Sequence, residues 1–335
     1  MRYIFALIAW LYPLVGVAQE WEDQNAFGPA SAASTLRVLS STDTALFAPI
    51  IEDFLRGRPD VSVEYFVTGT AQIDQVFRAS PDDFDVVISS AMDLQLKLVN
   101  DGYSVPVANL SQPDWAQWRN SLFAFTTEPA TIVINRAAFA PDTVPQTRQE
   151  LIAAMRARPE VFRGKVGTYD VRDSGLGYLF ATQDARASET FWRLMEVMGG
   201  LDARLYCCSG AMIDDLIAGK LMVAYNVLGS YVAARDDVAG MLEIVLPSDF
   251  PTIMMRTAFV SSRTEVEENA AAFVRHLVEV QTGPRNRDVF PLPPLSATVD
   301  STGQAVISLE PALMTYLDPL KRKTFIKEWS SAVIQ

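Results

Sequence analysis

Apolar residues recur along this chain at two periods, and its polar chemistry collects where one period gives way to the other. Leu36-Arg37-Val38-Leu39 reads as a strand and runs into Ser40-Ser41-Thr42-Asp43. In residues 45–56, Leu46, Ile50 and Phe54 recur at fourfold spacing with Phe47, Ile51 and Leu55 beside them. That spacing predicts a helix with one broad apolar face. Residues 61–67 alternate as a strand and end at Thr68-Gly69-Thr70, and a helical stretch covers 72–77. Asp85-Val86-Val87-Ile88 then repeats the opening motif, running into Ser89-Ser90-Ala91-Met92-Asp93, and a helix over 92–99 closes at Asn100-Asp101-Gly102. The order β-α-β-α-β-α predicts an α/β architecture with a mainly parallel sheet flanked by helices.

Two extended runs, 123–127 and 130–135, lead through a Pro-rich break at Pro141 and Pro145 into a second set. Thr147-Arg148-Gln149-Glu150 is a capping box and predicts a helix that ends near Pro159. Strands are expected at 165–169, 220–225, 242–246 and 257–260, and helices at 188–198 and 265–280, with one or two more over 311–334. Residues 19–35 show no periodicity and read as a lead-in.

Small polar residues end the strands of both sets. A helix start presents unpaired N–H groups and the positive end of the dipole, and hydroxyls beside it add donors. In open α/β sheets, ligands bind beyond the carboxyl ends of the strands. In the first set the candidate ligand-binding residues are therefore Ser40, Ser41, Thr42, Thr68, Thr70, Ser89 and Ser90. In the second they are Thr168, Tyr169, Arg172, Ser174, Gly175, Ser209, Tyr225 and Asn226. Each hydroxyl has a plain alternative as a helix cap, and Arg172 has one as the partner of Asp170 or Asp173. A guanidinium among hydroxyls suits phosphate or carboxylate, which it meets bidentately.

Arg2, an apolar run over 3–17 and Gly16-Val17-Ala18 fit a secretory leader, so residues 1–18 are expected to be a cleaved signal peptide. The run is shorter than the about 20 residues a transmembrane helix needs. The expected mature protein is soluble and extracytoplasmic, and its length suits two domains. Its net charge of −12 argues against nucleic acid, which is bound by clustered Lys and Arg. Two adjacent cysteines, Cys207-Cys208, make no disulfide framework. They read as small buried hydrophobes, as a vicinal disulfide, or as a redox or metal pair. The one histidine, His276, lies in a charged helical stretch, and the chain has neither a G-x-S-x-G elbow nor an H-E-x-x-H motif. These absences favour a binder over an enzyme.

The leader, Leu39-Ser40-Ser41-Thr42-Asp43, Val67-Thr68-Gly69-Thr70, the 85–91 stretch, 130–135, Gly167-Thr168-Tyr169-Asp170 and Ala224-Tyr225-Asn226 occur in a telling order. With that order and spacing, the chain resembles periplasmic solute-binding proteins of ABC-type importers. It is most similar to the type II branch of ferric-iron, sugar-phosphate and phosphoglycerate binders. The resemblance implies two α/β lobes that close on a ligand, with 36–126 plus 254–335 in one lobe and 127–253 in the other. Crossings are expected near 125–130 and 252–260, and the C-terminal helices have the alternative of packing on the second lobe. It implies a monomer that captures a small anionic solute, organophosphate or carboxylate, and presents it to an inner-membrane permease in the periplasm. A sensor-kinase partner, as in phosphoglycerate-regulatory proteins, and ferric-iron binding are the alternatives it carries. Ferric binders of this branch present adjacent tyrosines; here Tyr225 is followed by Asn226. No cofactor and no resident metal are implied.

Overall fold

A computed structural model describes residues 21–140, 142–235, 238, 240–281, 289–296 and 305–334; the expected leader lies outside them. The strands are β1 (Asp23–Phe27), β2 (Ser34–Ser40), β3 (Val61–Val67), β4 (Val86–Ser89), β5 (Ser104–Val105), β6 (Gln117–Trp118), β7 (Leu122–Ala124) and β8 (Glu128–Asn135). They continue as β9 (Val166–Tyr169), β10 (Arg204–Tyr206), β11 (Val223–Leu228), β12 (Leu242–Val245), β13 (Thr252–Met254), β14 (Thr257–Ser261) and β15 (Ala305–Val306). The helices are α1 (Thr44–Leu55), α2 (Gln72–Ala79), α3 (Met92–Asn100), α4 (Arg148–Ala157), α5 (Pro159–Phe162) and α6 (Gly175–Ala187). After them come α7 (Thr190–Gly200), α8 (Ser209–Ile217), α9 (Gly229–Ala233), α10 (Glu267–Val280) and α11 (Pro319–Val333).

Two sheets result. The first runs β1-β3-β2-β4-β14-β7-β6, with β5 also on β14, and the second runs β10-β9-β11-β8-β13-β15, with β12 also on β8. Each has a parallel heart, β3-β2-β4 in one and β10-β9-β11 in the other. Antiparallel strands flank both hearts. Strands β4 and β14 are buried along their whole length, as befits strands covered on both faces. The expected amphipathic helix is α1, whose Leu46, Phe47, Ile50, Ile51 and Phe54 are buried. Thr147 caps α4 as the capping box predicts, its Oγ1 accepting from Glu150 N–H at 3.0 Å. The sequence showed no element over 23–27, yet β1 pairs there along the outer edge of β3. Its polar residues are half-exposed or exposed, so it carries no apolar alternation to read.

The chain passes from the first sheet to the second between β7 and β8, and returns between β13 and β14. Helix α11 packs on α7 and buries Trp329 in the second core. Gly199 explains the closeness of that packing: a Cβ there would lie 2.1 Å from the Ala332 carbonyl oxygen. Among the described residues no helix is long and apolar enough to cross a membrane.

Candidate functional site

The two stretches with the same build, at 36–43 and 85–93, lie side by side. Strands β2 and β4 are parallel neighbours with Ser40 opposite Ile88, so their hydroxyl turns meet. Ser41 N–H donates to the Ile88 carbonyl at 3.1 Å, and Thr68 N–H at the end of β3 donates to Ser40 O at 3.0 Å. Three parallel strand ends thus present Ser41, Thr68 and Ser90 in a row. The second sheet faces them with its own strand ends, Tyr169 after β9 and Cys207, Cys208 and Ser209 after β10, which pairs Tyr206 with Tyr169.

Between the two edges lies a cavity of about 110 Å³. One water needs only about 10–15 Å³ on such a measure, so the space takes a compact multi-atom solute. The lobes touch at its rim. Leu176 N–H donates to Thr70 Oγ1 at 3.1 Å, and the Tyr231 hydroxyl donates to Asp43 Oδ1 at 3.3 Å. Gly175 sits where a Cβ would come within 3.0 Å of the Thr70 carbonyl oxygen. The two edges are thus in contact across the cavity's rim.

The deepest charge in the wall is Arg256, 1 % exposed, on the returning crossing. Its Nε donates to Glu128 Oε1 at 2.7 Å and its Nη1 to Thr42 Oγ1 at 2.6 Å. Glu128 belongs to the other crossing and also accepts from Thr126 Oγ1 and Ser230 Oγ. Burial works hardest against the charge of Arg256, but Glu128 and Tyr231 together outweigh it and hold the guanidinium's pKa above its ordinary value. Both crossings and both lobes are thereby tied to one ion pair.

Three carboxylates share the wall: Glu22, Asp43 and Asp173. Burial raises the pKa of Glu22, with Asp43 adding to it; burial also raises Asp43, against the pull of Arg256. The phenols of Tyr169 and Tyr231 are pushed up by burial and stay protonated. Tyr169 shares a 2.5 Å hydrogen bond with Ser209 Oγ, which also accepts from Leu228 N–H. Donors and acceptors are both on offer. Among the described residues no cluster of three His, Cys, Asp or Glu is placed to hold a metal.

No protein-family model and no curated protein matches the chain. Solved structures do. The substrate binding protein of an ABC transporter from Agrobacterium tumefaciens is 30% identical, with a TM-score of 0.85 over 93% of this chain and 98% of that one. The chain belongs to the substrate-binding proteins of ABC transporters. Two more distant structures show the same fold. The periplasmic binding protein AfuA from Actinobacillus pleuropneumoniae, solved with fructose-6-phosphate, is 14% identical with a TM-score of 0.72, covering 90% and 99%. Iron-bound HitA from Pseudomonas aeruginosa is 11% identical with a TM-score of 0.66, covering 89% and 99%.

In this substrate-binding protein the expected residues separate into two groups. Ser41, Thr68, Thr70, Ser90, Tyr169, Ser174 and Ser209 line the cavity. The others do not. Ser40 is buried, its Oγ accepting from the Tyr65 hydroxyl and Thr42 N–H. Ser89 caps the turn into α3 by accepting from Ala91 N–H, Thr42 holds Arg256, and Thr168 reaches the Tyr225 carbonyl. Gly175 lends its lack of a side chain to the rim. Arg172 lies outside the wall, its fork closed on Asp170 through Nε–Oδ1 at 2.8 Å and Nη2–Oδ2 at 2.5 Å. Burial opposes ionisation of Asp170, but the Arg172 fork dominates and lowers its pKa. Tyr225 and Asn226 point into the second lobe, where both donate to Asp184. Cys207 and Cys208 are exposed thiols in the cavity wall, which corrects the reading of them as buried hydrophobes.

Sequence reasoning missed Arg256. A signal was present: Arg256 is the one charged residue in 252–260, and Glu128 is the one charged residue in 125–130. Opposite charges in two apolar crossings bury only as a pair.

Proposed function

We propose that this protein binds an extracytoplasmic solute carrying an acidic group, a phosphate ester or carboxylate, together with hydroxyl groups, and delivers it to an ABC permease by lobe closure. One observation supports the reading: a buried guanidinium fixed by Glu128 of the other crossing and by Thr42 lines a cavity whose wall otherwise mixes hydroxyls and carboxylates with Gln72, two thiols and the apolar Leu176 and Leu228. Arg256 and the starts of α1, α6 and α8 favour negative charge. Glu22, Asp43 and Asp173 accept hydrogen bonds but repel a bare anion, so they suit the hydroxyls of the same solute. Fructose-6-phosphate, the solute in the AfuA structure, is of that description. Closure follows from differential affinity, since a solute that touches both edges binds the closed state better than the open one. The periplasm is where such a protein meets its solute, and the proposed leader takes it there.

A thermal-shift panel tests the reading. It would hold 2- and 3-phosphoglycerate, hexose phosphates, hydroxycarboxylates, neutral hexoses, inorganic phosphate and ferric citrate. A solute at 100 times its Kd adds about 2.7 kcal/mol of stability. The reading expects a rise with phosphorylated or carboxylated polyols and little with inorganic phosphate or neutral hexose. A rise with ferric ion alone would replace it with iron binding.

A further inference from the structure

Cys207 and Cys208 stand where an ordinary structural disulfide does not. Cys207 follows β10, and Cys208 is the residue that enters α8, with extended backbone at φ −150° and ψ 157°. Both are exposed free thiols, and both line the solute cavity beside the Tyr169–Ser209 hydroxyl pair. From these placements we infer that Cys207 and Cys208 are a reversible redox site in the cavity wall, closing to a vicinal disulfide by exchange with a small disulfide.

Neighbouring residues across a trans peptide have Cα atoms about 3.8 Å apart. The usual disulfide spans about 4.4–6.8 Å, so a ring between neighbours is strained and easily reduced. It is suited to switching and not to stapling. The site also supplies an attacking group: hydrogen bonding from Cys208 favours the thiolate of Cys207 and lowers its pKa to about 7, against burial and the nearby carboxylates of Glu22 and Asp43. Cys208, held protonated by the same hydrogen bond and by burial, is the resolving thiol.

The exchange balances. The Cys207 thiolate attacks one sulfur of a disulfide R–S–S–R and expels one R–S⁻, which leaves a Cys207–S–S–R mixed disulfide. Cys208, losing its proton to solvent, attacks the Cys207 sulfur and expels the second R–S⁻. The protein has lost two protons and two electrons, and the small disulfide, gaining both through its protonated leaving thiolates, has become two thiols. The ring removes two S–H groups from the wall and pins the turn that carries Ser209. Oxidised and reduced protein therefore offer a solute different cavities.

The test needs no solute, so it fails independently of the proposed function. The folded protein is equilibrated with oxidised glutathione or cystamine, then denatured, alkylated with iodoacetamide and weighed intact. The expected product has lost two hydrogens, takes up no alkyl group, retains no adduct and reverts with dithiothreitol. Cys208→Ser retains one oxidant-derived thiol on Cys207, because the resolving thiol is gone. Two alkyl groups per chain after oxidation, two separate adducts, or a disulfide between chains would each overturn the inference.

Discussion

Arg148 and Arg256 are both buried guanidiniums paired with carboxylates and a hydroxyl, yet their surroundings differ. Arg148 lies inside the second lobe. It donates to the Tyr225 hydroxyl at 2.6 Å, to Asp184 Oδ1 at 3.3 Å and to Asp249 Oδ1 at 3.0 Å, and it stacks 3.7 Å from the Phe250 ring centroid. Tyr225, Asn226 and Thr252 complete Asp184. That network lies within one lobe, reaching the surface at Asp249. Arg256 has similar partners but borders the cavity and stands on the hinge, where its ion pair joins both crossings. A buried charge with a satisfied shell and no open face is architecture; the same charge at an open face can recognise a ligand.

The comparison can be broken by mutation, and the largest effect falls on the Arg148 network. Arg148→Ala leaves Asp184 buried without its cation and should cost about 3–5 kcal/mol of stability, read by urea unfolding. The solute affinity of whatever fraction stays folded should be unchanged. Arg256→Lys keeps a charge near Glu128 but loses the planar fork, so solute affinity should fall at least tenfold, about 1.4 kcal/mol, by calorimetric titration. An equal loss of affinity in both variants would dissolve the distinction.

Smaller effects sharpen it. Thr70→Val removes the acceptor of the Leu176 N–H across the rim and should weaken the closed state by about 1 kcal/mol. It should be seen as a several-fold loss of affinity with little change in the unliganded melting midpoint. Glu22 and Asp43 have raised pKa values, so as pH falls below neutral they take up protons before an exposed carboxylate would. Affinity for an acidic solute should rise over that range, and Glu22→Gln should flatten the trend. Arg172→Ala should do least. Its side chain is 46 % exposed and paired with Asp170, so the change should stay below about 0.5 kcal/mol, with affinity unaltered.

Much of the fold was legible because strand ends and helix starts are local events. The turns at Ser40–Asp43 and Ser89–Asp93 announced themselves by composition, and their meeting follows from β2 and β4 being parallel neighbours. Strand β1 was hidden because an edge strand of polar residues carries no alternation. The site was harder to read, for a physical reason. Whether a hydroxyl caps its own turn or faces a cavity depends on side-chain direction, and pattern does not encode it: Ser40 and Ser41 are neighbours with opposite fates. Tyr225 was misplaced because the sequence ends the strand there, whereas β11 runs on to Leu228 and holds Tyr225 within it, facing the second core. Arg172 looked like the cation of the site, but Asp170 two residues away captures it. Arg256 and Glu128 are 128 residues apart, and only the return of the chain brings them together.

The central claim is that the cavity recognises an acidic solute through Arg256. Calorimetric titration of 3-phosphoglycerate and of fructose-6-phosphate into wild type and Arg256→Lys tests it most directly. Saturable one-to-one binding of at least one of them to wild type is expected, with a tenfold or greater loss in Arg256→Lys and unliganded melting midpoints within a few degrees of each other. Binding that survives the substitution undiminished would contradict it.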